Sequence, residues 1–385
     1  MEETDDRQHL KSMDVLKGII MAVIVIGHMF LVDGAGGDPS GQDVRQLPPI
    51  LQALYLGLMA YLILSGYFYR PRGFKNNMLK RLKQLGLVTA VASLILPLIL
   101  WLYLNAFGYD LPISDYFDAV LRNVGLYNLA GDLPATPCYT FINFGSYFLI
   151  GMLWGFLIFY ALADRILDDW RKVFATILIL LVIEVIVVEF IPFKLPLLMK
   201  LGPINAAFMF FGGWLARRRF LENIEYGNKR EPKYWAIPIV CFIAGVALCI
   251  LLPPGIGYDV LYFGDYGAIS VFPYFLEAIL MFVPIALLGF IFSKIPVFST
   301  LLDFLGRHTV GIILLHPVVG KMLAVAMGIT LSGGVDILPA DVSTEVRVFI
   351  GLVALFLPAV ILHFCPMLID RMKKPKEADK AEPSS

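Results

Sequence analysis

The sequence predicts an all-α membrane protein that crosses the bilayer about ten times, from its composition and from the length of its apolar segments. Of 385 residues, 58% are hydrophobic and only 16% are charged, whereas soluble domains carry about a quarter of charged residues. Apolar runs of about twenty residues, the length of a spanning helix, recur along the chain. A helical bundle follows, because helices satisfy their own backbone polar groups inside lipid.

Ten segments have the length and apolarity of a transmembrane helix, with boundaries uncertain by a few residues. They are 15–32, 49–69, 85–105, 142–163, 172–191, 203–219, 234–252, 270–292, 308–328 and 346–369. We interpret residues 13–370 as one membrane domain, with a tail at 1–12 and another at 371–385, both cytoplasmic.

The distribution of Lys and Arg predicts that both termini face the cytoplasm. Basic residues concentrate in segments on the N-terminal side of the bilayer, including 80–83, 217–219 and 371–374. Cytoplasmic loops characteristically carry this excess. The opposite loops, 106–141 and 253–269, interleave Asp with Tyr. That composition suits stacking on and hydrogen-bonding to sugars, and it is equally that of an interfacial aromatic belt.

Several function classes find no support in the sequence. The formal net charge is zero and the basic residues are dispersed among short loops, so no nucleic-acid partner is expected. The four cysteines form no CxxC or Cys/His cluster, so we expect neither a disulfide framework nor a metal site. The predicted spans and their loops make up most of the sequence, so any chemistry is expected within the membrane bundle and its loops.

Lys17 and His28 are the most informative residues of the first span. Their separation corresponds to roughly 16 Å of helix rise and about three turns, so they point to similar faces at different depths. Ionisable residues inside a membrane usually face the protein interior or a wet cavity. Taken singly, Lys17 could be an interfacial lysine and His28 a hydrogen-bonded packing residue.

A second set of polar residues follows in helix two and the start of helix three. Ser65 and Gly66, before Tyr67, are small and favour close helix packing. Lys80 and Arg81 would ordinarily anchor a cytoplasmic helix end. Together with Lys17 they surround the cytoplasmic mouth of the first helices with positive charge, which suits a phosphorylated ligand.

Other ionisable residues within the spans leave two interpretations open. His316 is expected near mid-membrane, Glu277 within helix eight and Arg307 at the inner mouth of helix nine. Each could support a site around His28 or could serve packing alone. Glu184 and Glu189, in helix five, are expected to be interfacial.

An ordered set of motifs resembles the acyltransferase-3 family of membrane acyltransferases. That family's pattern of an Arg, ten residues and a His is similar to Lys17…His28, and its Phe-Phe-x-Leu-Ser-Gly-Tyr segment to residues 61–67. Lys80-Arg81 is similar to its start of helix three. The later matches are Tyr147-Phe148-Leu149, Phe159-Tyr160, Phe211-Gly212-Gly213 and Gly306-Arg307-His308-Thr309…Leu315-His316-Pro317. The resemblance runs from about residue 12 to 320.

The resemblance implies transfer of an acyl group, commonly acetyl, from cytosolic acyl-CoA to a hydroxyl of an extracytoplasmic carbohydrate or lipid-linked glycan. Lys17, Lys80 and Arg81 would bind acyl-CoA, the co-substrate, and His28 would act in catalysis. Ser65, Tyr67, Glu277, Arg307 and His316 would support the site, without a metal. Lys17 stands where Arg is usual, which keeps the charge and loses the planar fork.

Two mechanisms and a different function stay open at this point. His28 could act as general base on the acceptor hydroxyl, or it could carry the acyl group as a covalent acyl-histidine. Alternatively, the protein could be a transporter or flippase that moves a lipid-linked sugar without chemistry. All of these place a multi-pass protein in the cell membrane, with the lipid bilayer as a partner.

Overall fold

The computed structural model describes residues 11–30, 59–123, 144–190, 196–251, 271–331, 338–339 and 341–373. These residues are almost entirely helical, and no strand occurs among them, so the all-α prediction is confirmed. The α-helices in chain order are α1 Lys11–Phe30, α2 Ala60–Tyr67, α3 Phe74–Arg81, α4 Leu87–Ala106, α5 Ile113–Asn123, α6 Phe144–Ile166, α7 Trp170–Phe190, α8 Gly202–Arg217, α9 Phe220–Tyr226, α10 Pro232–Leu251, α11 Val271–Ser293, α12 Pro296–Arg307, α13 Thr309–Ala326 and α14 Thr344–Lys373.

A helix occupies the described part of each of the ten predicted spans. Within the described residues, eight helices are long and apolar enough to cross a membrane. Two of the predicted spans are not among those eight. The span at 203–219 corresponds to α8, which has 16 residues and follows a 3-10 turn, Pro196–Leu201. Of the span at 49–69, residues 49–58 lie outside the described residues.

Helix α1 lies inside the bundle and packs against α11, α12, α13 and α14. Its residues are apolar on nearly every face, and most are buried. A helix that is hydrophobic all round belongs in the interior. The side chains of Lys17 and His28 are therefore surrounded by protein along most of their length.

Glycines allow two pairs of helices to approach at backbone distance. Gly18 and Gly306 lie between α1 and α12, and Gly66 and Gly212 lie between α2 and α8. A Cβ atom at any of the four would overlap a backbone carbonyl oxygen of the partner helix. Small residues at such crossings are the usual basis of membrane helix packing, because lipid provides no hydrophobic driving force between helices.

One continuous helical segment runs from Phe74 to Ala106 and contains a π-helical turn, Leu82–Gly86. Such turns insert an extra residue into the helix and are frequent at functional sites. Arg81 lies immediately before the turn, and Gln84 lies within it. Both side chains line the cavity described below.

Candidate active site: a buried histidine pair above a basic cavity

His28 and His316 form a direct contact in the interior of the bundle. Nδ1 of His28 lies 2.8 Å from Nε2 of His316, and the two rings are stacked with centroids 5.0 Å apart. The exposed fractions are 6% for His28 and 0% for His316, so both imidazoles are enclosed by protein. The structure thus joins two residues that are 288 positions apart in the chain.

The backbone of α13 determines which nitrogen of His316 carries the proton. Nδ1 of His316 lies 2.9 Å from the carbonyl oxygen of Ile312, and a carbonyl can only accept a hydrogen bond. In the neutral ring, Nδ1 is therefore the donor and Nε2 is the acceptor. Pro317 contributes to this arrangement, because it has no N–H for the carbonyl of Ile313, which also lies beside the His316 ring.

The tautomer of His28 follows from that of His316. Since Nε2 of neutral His316 accepts, Nδ1 of His28 must donate to it. Neutral His28 then carries its proton on Nδ1 and a lone pair on Nε2. A nitrogen in this state can remove a proton from a hydroxyl or attack an acyl carbon, as in the general catalytic roles of histidine.

A cavity of about 650 Å³ opens at the Lys17 end of the bundle. Its walls come from α1, α2, the segment around Arg81, α6, and the junction of α12 and α13. Polar side chains surround the mouth, and apolar side chains such as Met21, Phe148 and Ile313 line the deeper part. The sequence-predicted residues that line it are Lys17, Ser65, Arg81 and Arg307.

The histidine pair lies beyond the apolar end of this cavity. Neither histidine is among the described residues that line it. Along α13, His316 is about 4.5 Å of rise past Ile313, and along α1, His28 is about 10 Å past Met21. A ligand in the cavity would have to extend a thin arm past Met21 and Ile313 to reach the histidines.

Among the described residues, three cations line the cavity, and carboxylates hold two of them in place. Nζ of Lys17 lies 2.8 Å from Oδ1 of Asp14, one turn earlier on α1. Nη2 of Arg307 lies 3.0 Å from Oδ2 of Asp303 on α12. Asp14 itself lines the cavity, so the mouth carries a net positive charge that this carboxylate partly offsets.

Aromatic side chains of α6 orient the third cation, Arg81. Its Nε donates to the hydroxyl oxygen of Tyr160 at 3.0 Å, and its guanidinium lies 4.7 Å from the centre of the Phe156 ring. A guanidinium stacked on an aromatic face keeps its edge available for planar anions such as phosphate. Lys80, by contrast, is exposed and does not line the cavity.

Tyr61 and Ser65 connect α2 to the Lys17 region. The Tyr61 hydroxyl donates to the backbone carbonyl of Lys17 at 2.7 Å, and the Ser65 hydroxyl donates to the carbonyl of Tyr61 at 2.7 Å. Both side chains line the cavity. The resemblance motif has Phe where this chain has Tyr61, so the motif provides no signal for this hydrogen bond.

Two other sequence candidates lie away from the cavity. Tyr67 is buried, its hydroxyl contacts the Glu222 carboxylate, and it accepts the Leu221 N–H at 3.1 Å. It therefore fastens α2 to α9. Glu277 on α11 is buried and forms a hydrogen bond with Cys249 on α10.

Several buried charges were not anticipated from the sequence. Glu184 is fully buried within the protein, and its Oε2 accepts the Ile204 N–H at 3.2 Å; its position at the membrane interface stays a prediction. Lys321 and Arg347 are also buried. Lys321 could have been found as a lysine inside the apolar span at 308–328, whereas Arg347 lies at the edge of a span, where basic residues are commonplace.

Part of the expected acceptor surface is described as helix α5. The rest of loop 106–141 beyond residue 123, and the whole of loop 253–269, lie outside the described residues. On α5, burial raises the pKa of Asp115, and the nearby charge of Asp118 adds to this shift. No sugar-binding arrangement is inferred from α5.

These features define the class as a polytopic helical membrane protein with a buried histidine pair next to a basic cavity. The acyltransferase-3 family model, which describes an acyltransferase domain, matches residues 10–364, nearly the whole chain. The chain belongs to that family and is a multi-pass membrane protein. No curated protein and no solved structure matches the sequence.

Proposed function

We propose that this protein is a membrane O-acyltransferase of the cell membrane. It moves an acyl group, most simply acetyl, from cytosolic acyl-CoA to a hydroxyl of an extracytoplasmic carbohydrate or lipid-linked glycan. The observation that carries the proposal is the arrangement of a basic cavity and a buried histidine pair along the same helices, α1 and α13. Family membership supports the acyltransferase class in general.

The cavity has the polarity expected of a site for acyl-CoA. The anionic nucleotide end of acyl-CoA would lie against Lys17, Arg81 and Arg307 at the mouth, because these cations suit phosphate groups. The long, thin pantetheine arm would follow the apolar wall past Met21 and Ile313. The thioester would then approach the histidine pair from the cavity side.

In the proposed reaction, His28 acts as general base through Nε2. The acceptor oxygen attacks the thioester carbonyl carbon while its proton moves to Nε2, the carbon–sulfur bond breaks, and the proton passes to the CoA thiolate. Nε2 of His316 accepts a hydrogen bond from the Nδ1–H of His28 and thereby stabilises the positive charge that forms on the His28 ring. Such proton transfer contributes about 10²–10⁴-fold in rate.

The test is an acyl-transfer assay on the purified full-length protein in lipid, with labelled acetyl-CoA and envelope glycan acceptors. We expect His28→Ala to retain acetyl-CoA binding and lose transfer. Lys17→Ala should raise the KM for acetyl-CoA, because it removes a phosphate contact.

Matched variants provide the controls for this assay. His363→Ala and Lys172→Ala alter residues of the same types outside the cavity, and both should behave like wild type. A wild-type protein that neither binds acetyl-CoA nor transfers its acyl group would overturn the proposal. Acylated protein trapped with donor alone, and absent in His28→Ala, would replace the general-base step with an acyl-histidine.

A further inference from the structure

Arg347 is a buried cation that the proposed chemistry does not use. It lies in the first turn of α14 and is 4% exposed. Burying a guanidinium is costly unless its N–H groups are hydrogen-bonded. The contacts of Arg347 therefore indicate what the residue does.

The guanidinium bonds to three backbone carbonyls from different parts of the chain. Nη1 donates to the carbonyl of Met29 at 2.6 Å, Nε donates to that of Val342 at 2.9 Å, and Nη2 donates to that of Pro339. Met29 belongs to the last turn of α1, where carbonyls have no further partner within the helix. A positive charge there also complements the helix dipole.

A glycine one turn further along α14 brings the same two helices together. A Cβ atom at Gly351 would lie 3.1 Å from Cγ of Met29 and 3.7 Å from Cα of Ile26. Ile26 and Met29 share one face of α1, and His28 points to the other side, toward α13. Helix α14 thus packs against the side of the last α1 turn that is opposite to α13.

We propose that Arg347 is a positioning residue for His28. By binding the Met29 carbonyl, it sets the height and rotation of the α1 turn that carries His28, and so maintains the bond from His28 to His316. This inference rests on the proposed function for its catalytic consequence. The structural part, the geometry of the histidine pair, is independent of any activity.

The test compares Arg347→Lys with wild type in full-length protein reconstituted in lipid. Lysine keeps the charge, but its three N–H groups share one nitrogen and do not match the carbonyls that three separate guanidinium nitrogens contact, so His28 should be displaced. We expect kcat to fall by about 10²-fold, since small misplacements of a catalytic group have effects of this size. The KM for acetyl-CoA should stay within about twofold, because Arg347 does not line the donor cavity.

A second variant separates positioning from simple loss of stability. Leu355→Ala opens a gap elsewhere on α14, at a buried side chain, and should lower the Tm while leaving kcat per folded protein near wild type. Equal losses of kcat in the two variants at matched Tm would overturn the proposal. So would an unchanged kcat in Arg347→Lys.

A spectroscopic measurement tests the geometry without turnover. In ¹⁵N-histidine-labelled protein, the ring nitrogens of His28 and His316 should show the Nδ1–H tautomer and a bond between Nδ1 and Nε2. Arg347→Lys should shift these signals, and Leu355→Ala should not. If the wild-type protein proves inactive, the proposed acyltransferase function is overturned but the positioning role of Arg347 is not. An unchanged spectrum in Arg347→Lys overturns the positioning role whether or not the protein transfers acyl groups.

Discussion

At the scale of single residues, hydrogen bonds orient the side chains of the candidate site. The carbonyl of Ile312 selects the tautomer of His316, and His316 in turn selects that of His28. In the same way, Asp14 holds Lys17 and Tyr160 holds Arg81. Each functional group is therefore fixed by a second residue.

The role of His316 can be tested by comparing a variant without a hydrogen-bond acceptor with one that retains an acceptor. His316→Leu removes the acceptor for His28 Nδ1–H, so we expect kcat to fall by about 10–10²-fold, part of the range for acid–base catalysis. His316→Gln retains an acceptor oxygen and should recover part of the rate. Steady-state kinetics on both variants would show this difference, and equal activities would contradict it.

The carboxylate of Asp14 should weaken donor binding, because it competes with phosphate for Lys17. Asp14→Asn is nearly isosteric and removes this charge, so we expect the KM for acetyl-CoA to fall about three- to fivefold, since partly exposed ion pairs contribute up to ~1 kcal/mol. The effect should diminish at high salt. Asp168→Asn is the matched control, because Asp168 pairs with Arg217 at 2.6 Å and does not line the cavity; an equal change in both variants would contradict the prediction.

At the scale of helices, glycines and a π-helical turn decide how the functional side chains are presented. Gly18 and Gly306 let α12 approach α1 beside Lys17. The π-helical turn after Arg81 brings Gln84 into the cavity wall as well. The sequence pattern Leu-Ser-Gly-Tyr predicted close packing at Gly66, and the structure confirms it against α8.

The reciprocal glycine contact between α2 and α8 should be intolerant of a single methyl group. Gly212→Ala places a Cβ atom on the carbonyl oxygen of Ile63, so we expect destabilisation of about 1–3 kcal/mol or more. Gly86→Ala meets only side-chain atoms at 3.5 Å and should be nearly neutral. Thermal unfolding in detergent measures both, and a normal Tm in Gly212→Ala would show that the helices can separate at little cost.

At the scale of the whole molecule, the cavity gives the protein a polarity that matches the charge distribution of the loops. Lys17, Arg81 and Arg307 open to the end that the positive-inside rule assigns to the cytoplasm. In the predicted orientation, the basic mouth would face the cytosol, where the proposed donor acyl-CoA would enter. The histidine pair lies deeper, toward the opposite end of α1.

This orientation can be measured with single cysteines in a background from which the four native cysteines have been removed. Asn228→Cys, between α9 and α10, should react with a membrane-impermeant maleimide only after the cells are permeabilised. Ser114→Cys, on α5, should react in intact cells. Both side chains are exposed, so the reverse pattern would overturn the prediction that the termini are cytoplasmic.

The sequence by itself determined the class of the protein, most of its spans and the family, and it pointed to several residues that line the cavity. Apolar length is a local property, and a spanning helix needs no partner to form, so these features can be read from the chain. The relative positions of Lys17 and His28 could be predicted for the same reason, because one helix carries both. The motifs that contain Arg81 and His316 were also visible.

Only the tertiary structure decided which of these residues meet. It joined His28 to His316, selected Arg81 rather than Lys80 for the cavity, and directed Tyr67 and Glu277 elsewhere. It also revealed that Arg347, in the first turn of α14, binds the Met29 carbonyl in the last turn of α1. The physical reason is that the rotation of each helix and its contacts depend on packing against segments far apart in the chain. No local sequence pattern specifies that packing.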